Sequence, residues 1–260
     1  MSTATVATAR PNPLRRMLPS LIAATVVIGA WFLVKAIAQP ADDVLPAPLD
    51  VLREAGNQSS TLWDATKTTL IGAFGGFVAG NLIGIVGALL VAASATAARV
   101  VLPLALVIRV IPVIALAPFL TLALGSGSAT VIAISALIVF FPTLVNGVLG
   151  FRSVPREMLE LMEICGAGGW EVFRRVRIPA ALPYLFSAFQ VGAAACILGA
   201  MIAEWVTSSE GLGYLILQSG VQFDIELMWA GVVLAALLAL IAFGLTGWLA
   251  RRYASYLEPR

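Results

Sequence analysis

Residues 160–183 read ELMEICGAGGWEVFRRVRIPAALP. The chain around them has 260 residues, 60% of them hydrophobic and only 12% charged, so this polar interruption asks for a reason. Leu159, Met162 and Cys165 recur at three-residue steps with Met158 and Leu161 nearby, while Glu157, Glu160 and Glu163 take another face. That spacing predicts an amphipathic helix. Gly166, followed by Ala167, stands where a helix closes through a left-handed residue. Beyond Gly168 and Gly169, Trp170, Phe173 and Val176 repeat the three-residue step. Pro179 and Pro183 are expected to end this second helix and aim the chain into the next apolar run. The stretch reads as a helix–glycine–helix hairpin, too polar for lipid and too patterned for a bare connector.

Outward from the hairpin the chain is apolar. Soluble domains carry about one quarter charged residues, and several runs here reach the roughly 20 residues that cross a bilayer core. The expected fold is an all-α integral membrane protein with six spans, near 18–38, 68–92, 100–124, 129–150, 182–206 and 229–249. Long unbroken runs exclude a membrane β-barrel, which alternates in short segments. A single membrane domain is expected over 18–250, with the hairpin loop at 151–181, a disordered polar segment at 1–17 and a short cytoplasmic tail at 251–260. Arg15, Arg16 and the later Ala36-Ile37-Ala38 have the form of a signal peptide, but the apolar stretch is longer than a usual signal core, so it is read as a span. Gly72, Gly76, Gly80 and Gly84 form a ladder on one helical face, a pattern that lets two backbones approach. The GSGS at 125–128 predicts a tight turn, and Pro112 and Pro118 predict a broken or kinked third span.

Charge sets the expected orientation. With the N-terminus placed in the cytoplasm, the inner segments hold Arg10, Arg15, Arg16, Arg99, Arg152, Arg156, Arg174, Arg175, Arg177, Arg251, Arg252 and Arg260, against Lys35, Arg53 and Lys67 outside. Such a bias places both chain ends and the hairpin in the cytoplasm. Arg174, Arg175 and Arg177 could rest on lipid phosphates. An anionic leaflet disfavours the acidic first helix, however, and a protein groove suits it better.

Chemistry is sparse. Histidine is absent, and neither Lys35 nor Lys67 follows the glycine frame of a phosphate-binding P-loop. No aspartate lies inside an expected span, which leaves no catalytic set for an intramembrane enzyme. Arg109 is an ionisable residue within a span and thus a candidate for the solute path, unless the helix starts late and it snorkels to the surface. Asn81, Asn146 and Gln190 are polar residues in apolar runs, suited to interhelical hydrogen bonds or to the same path. Glu204, at the end of the fifth expected span, belongs to an outer gate or faces water.

The hairpin resembles the cytoplasmic loop of inner-membrane permease subunits of ABC importers, written Glu-Ala-Ala, a spaced glycine, then Ile-x-Leu-Pro. Here it is Glu160-Leu161-Met162, Gly166, and Ile178-Pro179-Ala180-Ala181-Leu182-Pro183, with the two alanines replaced by larger residues. LPAPLDVL at 45–52, RVIPVIALAPFLTLALGSGSA at 109–129, FFPTLVNGVLGFRSV at 140–154, AEW at 203–205 and GLGYLI at 211–216 are similar to elements of the nitrate, sulfonate and taurine permeases, in the same order. The resemblance implies a type I ABC importer permease fold. Separate ATP-binding cassette subunits would bind ATP and magnesium, an extracytoplasmic solute-binding protein would deliver the solute, and the permease would work as a homodimer in the bilayer. No cofactor of its own and no nucleic-acid partner are expected. Glu160, Leu161, Met162, Gly166, Ala167, Ile178, Pro179 and Pro183 would couple the chain to the ATPase. A sulfonate, nitrate or other small anion is the implied solute. A standalone ion-coupled transporter is the competing reading, but it has no use for a docking hairpin.

Overall fold

The computed structural model describes residues 13–38 and 44–257, and every regular element among them is helical. In chain order these are α1 (Pro13–Ala38), α2 (Pro48–Asn57), α3 (Ser59–Ala93), α4 (Ala95–Val110), α5 (Val113–Leu124), α6 (Ser128–Arg152), α7 (Arg156–Ile164), α8 (Gly169–Val172), a π-helical turn (Phe173–Arg177), α9 (Ile178–Thr207), α10 (Leu212–Val221) and α11 (Ile225–Leu257). Among the described residues four helices are long and apolar enough to cross a membrane: α3, α6, the continuous helix Gly169–Thr207, and α11. The bent pair α4–α5 is long and apolar enough only when its two helices are taken together. The expected span at 18–38 falls within α1, whose described apolar part is Thr25–Ile37. Helix α1 begins at Pro13, inside the segment expected to be disordered, and α11 continues through Leu257, into the expected tail.

The glycine ladder determines the core. Helix α3 packs most extensively on α6. A Cβ at Gly72 would meet Val131, at Gly76 Ser135, at Gly80 Ala136 and Val139, and at Gly84 Thr143. Residue numbers rise together on both helices, so α3 and α6 run parallel. Parallel neighbours require the intervening chain to return across the bundle. Residues 95–124 therefore cross once, even though α4 and α5 meet at an angle of 101°. Pro112 causes the break, because it has no N–H for the Ile108 carbonyl and it drives Ile111 into extended backbone at φ −67°, ψ 125°. The turn back into α6 uses Gly125 (φ +85°) and Gly127 (φ +109°), and the Thr130 hydroxyl donates to the Gly125 carbonyl at 2.7 Å.

Helix α9 lies antiparallel to α6, with Gly150 against Ala181 and Gly199 against Ser135 and Ile138. Helix α11 lies against α9, Gly247 facing Gln190 and Tyr253 stacking on Phe186 at 5.4 Å. The C-termini of α3, α6 and α11 thus gather with the 156–177 hairpin at one end of the bundle. Helices α2 and α10 gather at the other. There the end of α1 is tied down: Trp31 packs on Trp229 at 5.3 Å, and Lys35 Nζ donates to the Leu45 carbonyl at 2.8 Å.

Leucine at Gly80 would push into the α6 backbone, since even a Cβ comes 2.5 Å from the Ala136 carbonyl. Overpacking of this kind costs about 1–3 kcal/mol. Gly80→Leu is expected to lower the unfolding midpoint in detergent by several degrees, while Gly244→Ala in α11, with nothing within 4 Å, leaves it unchanged or raises it. Differential scanning fluorimetry of the two variants checks this.

Candidate functional site

The hairpin closes as its sequence predicts. Helix α7 ends in a glycine-capped turn: Gly166 has φ +72°, its N–H donates to the Glu163 carbonyl at 2.9 Å, and the Ala167 N–H donates to Met162 at 3.0 Å. These two bonds satisfy the last carbonyls of the helix. Nothing lies within 4 Å of a Cβ built on Gly166, so the need for glycine is conformational rather than steric. Leu159, Ala167, Val172 and Phe173 line the cleft between the two arms. Phe173 sits 5.6 Å from Trp170 and 6.2 Å from the buried Phe151 of α6, which ties the hairpin to the bundle. Arg175 pairs with Glu171 at 3.1 Å within the second arm.

The prolines act differently from expectation. The second arm does not end at Pro179 or Pro183 but runs unbroken as a helix from Gly169 to Thr207. A proline at 179 removes the donor for a carbonyl four residues earlier. The widened π turn adjusts the ladder just before it, with the Ile178 N–H donating to the Phe173 carbonyl. The hairpin's second arm and the membrane helix α9 are therefore one rod. The hairpin's outward surface is mixed: Met158, Leu161, Ile164 and Trp170 are exposed, Ile164 at 82% and Trp170 at 71%, beside the exposed Glu157, Glu160 and Glu163. Cys165, expected on the apolar face, is exposed as well, whereas Leu159 and Met162 are half-buried. Glu160 is exposed in mid-helix beside Leu161 and has no hydrogen bond or ion pair among the described residues, so it caps none of the described helices.

At the opposite end, Glu204 neither faces water nor lines an opening: its side chain is fully buried. Its Oε2 accepts from the Thr69 hydroxyl at 3.0 Å and from the Gly213 N–H at 2.8 Å, and Thr69 Oγ1 accepts from the Leu212 N–H at 2.7 Å. The carboxyl group thus ties α9 to α3 and to the N-terminus of α10. Gly211 (φ +102°) lies so close to it that a Cβ would overlap the carboxylate, and a Cβ on Gly213 would meet the Met201 backbone. Thr69 gave no sequence signal; the GLG at 211–213 was the legible trace of this close approach.

The remaining candidates separate. The Thr143 hydroxyl donates to Asn81 Oδ1 at 2.7 Å, joining α6 to α3 beside the glycine ladder. Asn146 donates to its own helix at Pro142, and Gln190 reaches the Phe243 carbonyl at 3.5 Å. Arg109 is exposed at the α4–α5 break, and its guanidinium lies 4.6 Å from the centre of the Phe141 ring.

A family model described as binding-protein-dependent transport system inner membrane component matches residues 68–255. The chain belongs to this family. It is 32% identical to a probable ABC transporter permease protein of Haemophilus influenzae, over 92% of this chain and 97% of that one. With the riboflavin transport system permease protein RibX of Chloroflexus aurantiacus it shares 35% identity, over 80% and 78% of the two chains. Relatives named for taurine and aliphatic sulfonates match as well, as the sequence motifs imply. In fold it is similar to a chain of the MetNI methionine ABC transporter in an inward-facing conformation, with TM-score 0.61, 22% identity, and 77% and 96% of the chains covered. This permease is a multi-pass inner-membrane subunit of an ABC importer for a small solute, with the type I importer fold the hairpin motif implied.

The Glu204 cluster gives this subsection its prediction. Thr69→Val strands the Leu212 N–H and removes one donor from Glu204. A buried group left unpaired costs about 1–3 kcal/mol. Thr69→Val is expected to destabilise the permease by about 2 kcal/mol, by the same principle, and Thr69→Ser is expected to be close to wild type. Thermal unfolding of the purified variants in detergent reads the difference.

Proposed function

We propose that two copies of this permease form the translocation path and that the 156–177 hairpin of each lies in the cytoplasm, seated in a groove of a separate ATP-binding subunit. Both chain ends lie on that same side. A binding protein on the outer side delivers the solute, and ATP and magnesium are held by the partner subunits. The observation that carries this reading is the hairpin's surface. Met158, Leu161, Ile164 and Trp170 expose large apolar side chains among the acids Glu157, Glu160 and Glu163, on an element that the tethered Phe173 and the helix Gly169–Thr207 bind firmly to the bundle. An apolar-faced helix with an acid among its exposed residues fits a protein groove.

In this reading Leu161, Ile164 and Trp170 supply the buried anchors of the docked hairpin, and Glu160 finds its partner on the ATPase. Gly166 and Ala167 set the bend. Ile178, Pro179 and Pro183 act at the joint, where the π turn fixes the direction in which the hairpin leaves α9. Closure of the ATPase pair on nucleotide would move each hairpin as a body and rock α9 with it, in keeping with alternating access by rigid bundles.

Gly166→Val puts a β-branched side chain at φ +72°, where left-handed backbone costs an ordinary residue about 1–2 kcal/mol. The variant is expected to reach the membrane at wild-type levels while its ATPase either fails to copurify or hydrolyses ATP without uptake. Gly166→Asn, which tolerates the left-handed region, retains coupling. Wild-type, binding-protein-stimulated ATPase activity and uptake in Gly166→Val would contradict the assignment.

A further inference from the structure

Arg109 has no counterpart elsewhere in the described molecule. Phe141, which its guanidinium covers at 4.6 Å, lies near the middle of α6 (Ser128–Arg152). At 1.5 Å per residue it is about 17 Å along the helix from Arg152 and about 20 Å from Ser128. Neither end of α6 is within reach of one side chain, which sets the guanidinium at the middle of that helix. Among the described residues Arg109 makes no hydrogen bond and no ion pair, and it is exposed. Its backbone surroundings are equally unsatisfied. Pro112 gives no N–H to Ile108, and the carbonyls of Arg109 and Val110 receive none from α5, where the Ala115 N–H turns back to Pro112 instead.

A bare guanidinium and freed backbone groups at mid-depth do not face hydrocarbon. A second copy of the chain does not supply a counter-ion there either. Every carboxylate on the described spanning helices lies near a helix end: Asp64, Glu171, Glu204 and Glu226. An aqueous path would solvate both the guanidinium and the freed backbone groups. The ring of Phe141 holds the guanidinium by a cation–π contact and leaves its fork of donors for something that passes.

We propose that Arg109, presented by the α4–α5 break and held on Phe141, is a solute-contact residue at the midpoint of the translocation path, and that the solute crosses with a hydrogen-bond-accepting oxygen edge turned towards it. A sulfonate or carboxylate and the carbonyl edge of a ring imide share that chemistry. This rests on the permease reading, whose own test, retention of the ATPase subunit, is separate from the one below.

The experiment uses the assembled transporter with Cys165 replaced by serine, so that the remaining native thiol is the buried Cys196. Val110→Cys, at a residue 80% exposed beside Arg109, is reacted in proteoliposomes with three thiol reagents: an anionic methanethiosulfonate bearing a sulfonate, its cationic trimethylammonium analogue, and neutral N-ethylmaleimide, which carries an imide edge. The same series is run with Arg109→Gln added, and with Arg109→Lys to separate charge from the planar fork. The expected result is reaction from water with the sulfonate favoured over the cation by about tenfold, a preference that Arg109→Gln abolishes. A maleimide rate that also falls in both Arg109→Gln and Arg109→Lys assigns the carbonyl edge; a fall confined to the sulfonate in Arg109→Gln assigns the anionic one. Protection of Val110→Cys from all three reagents, or a charge preference indifferent to residue 109, overturns the proposal even when the ATPase remains bound.

Discussion

The parallel packing of α3 on α6 is the contact on which the rest of the structure depends. Four glycines at four-residue steps bring the two backbones together, and Val131, Ser135, Val139 and Thr143 occupy the space that side chains on α3 would have filled. In lipid the pull between helices comes from close packing and from polar pairs such as Asn81–Thr143 rather than from exclusion of water. Parallel neighbours also impose topology. Residues 95–124 must recross the bundle, and they do so as two helices at 101° rather than as one rod. The bend at Pro112 then leaves backbone groups and the exposed Arg109 open beside the middle of α6. The same register puts the end of α6 beside that of α3, where Arg152 Nη2 donates to the Val91 carbonyl at 2.7 Å and starts the chain into the hairpin.

A second constraint acts along the molecule. The helix Gly169–Thr207 joins the hairpin to the Glu204 cluster without a break. Its 39 residues rise about 58 Å. At one end Phe173 locks it to Phe151; at the other Glu204 locks it to Thr69 and to the start of α10. A displacement applied at the hairpin therefore has a stiff route to the far side of the membrane, where α10 and α11 pack. The buried carboxylate and the two glycines against it suit a joint that must hold its geometry under load.

The sequence made the membrane class, the spans and the glycine-closed hairpin legible because each rests on local chemistry: apolar run length, helical spacing, and a glycine where a left-handed residue is required. It misled at Pro179 and Pro183. There the π turn before them lets the helix continue, and no propensity encodes that choice. Helices α2 and α10 were unread, being short and only partly apolar. Glu204 was visible as an unusual residue, but its burial depends on Thr69, which lies far away in sequence and comes near only once α3 and α9 have packed. The setting of Arg109 was open for the same reason: its contact with Phe141 exists only once α4 has packed beside α6. Membership of the permease family, legible in the loop motif, was carried by a glutamate and a glycine whose spacing survives although the two alanines do not.

The native thiols allow the most direct test of the central claim, that the hairpin is the cytoplasmic, ATPase-facing element of an importer subunit. Cys165 is exposed at the hairpin's bend and Cys196 is buried in α9, so the unmodified chain carries one reporter. Labelling with a membrane-impermeant maleimide is compared between intact cells and inverted membrane vesicles stripped of the ATPase, and again after the ATPase is restored. The account predicts no labelling from outside, ready labelling in the stripped inverted vesicles, and protection once the ATPase is bound. Labelling of Cys165 in intact cells, or labelling in vesicles that the ATPase leaves unchanged, would contradict it.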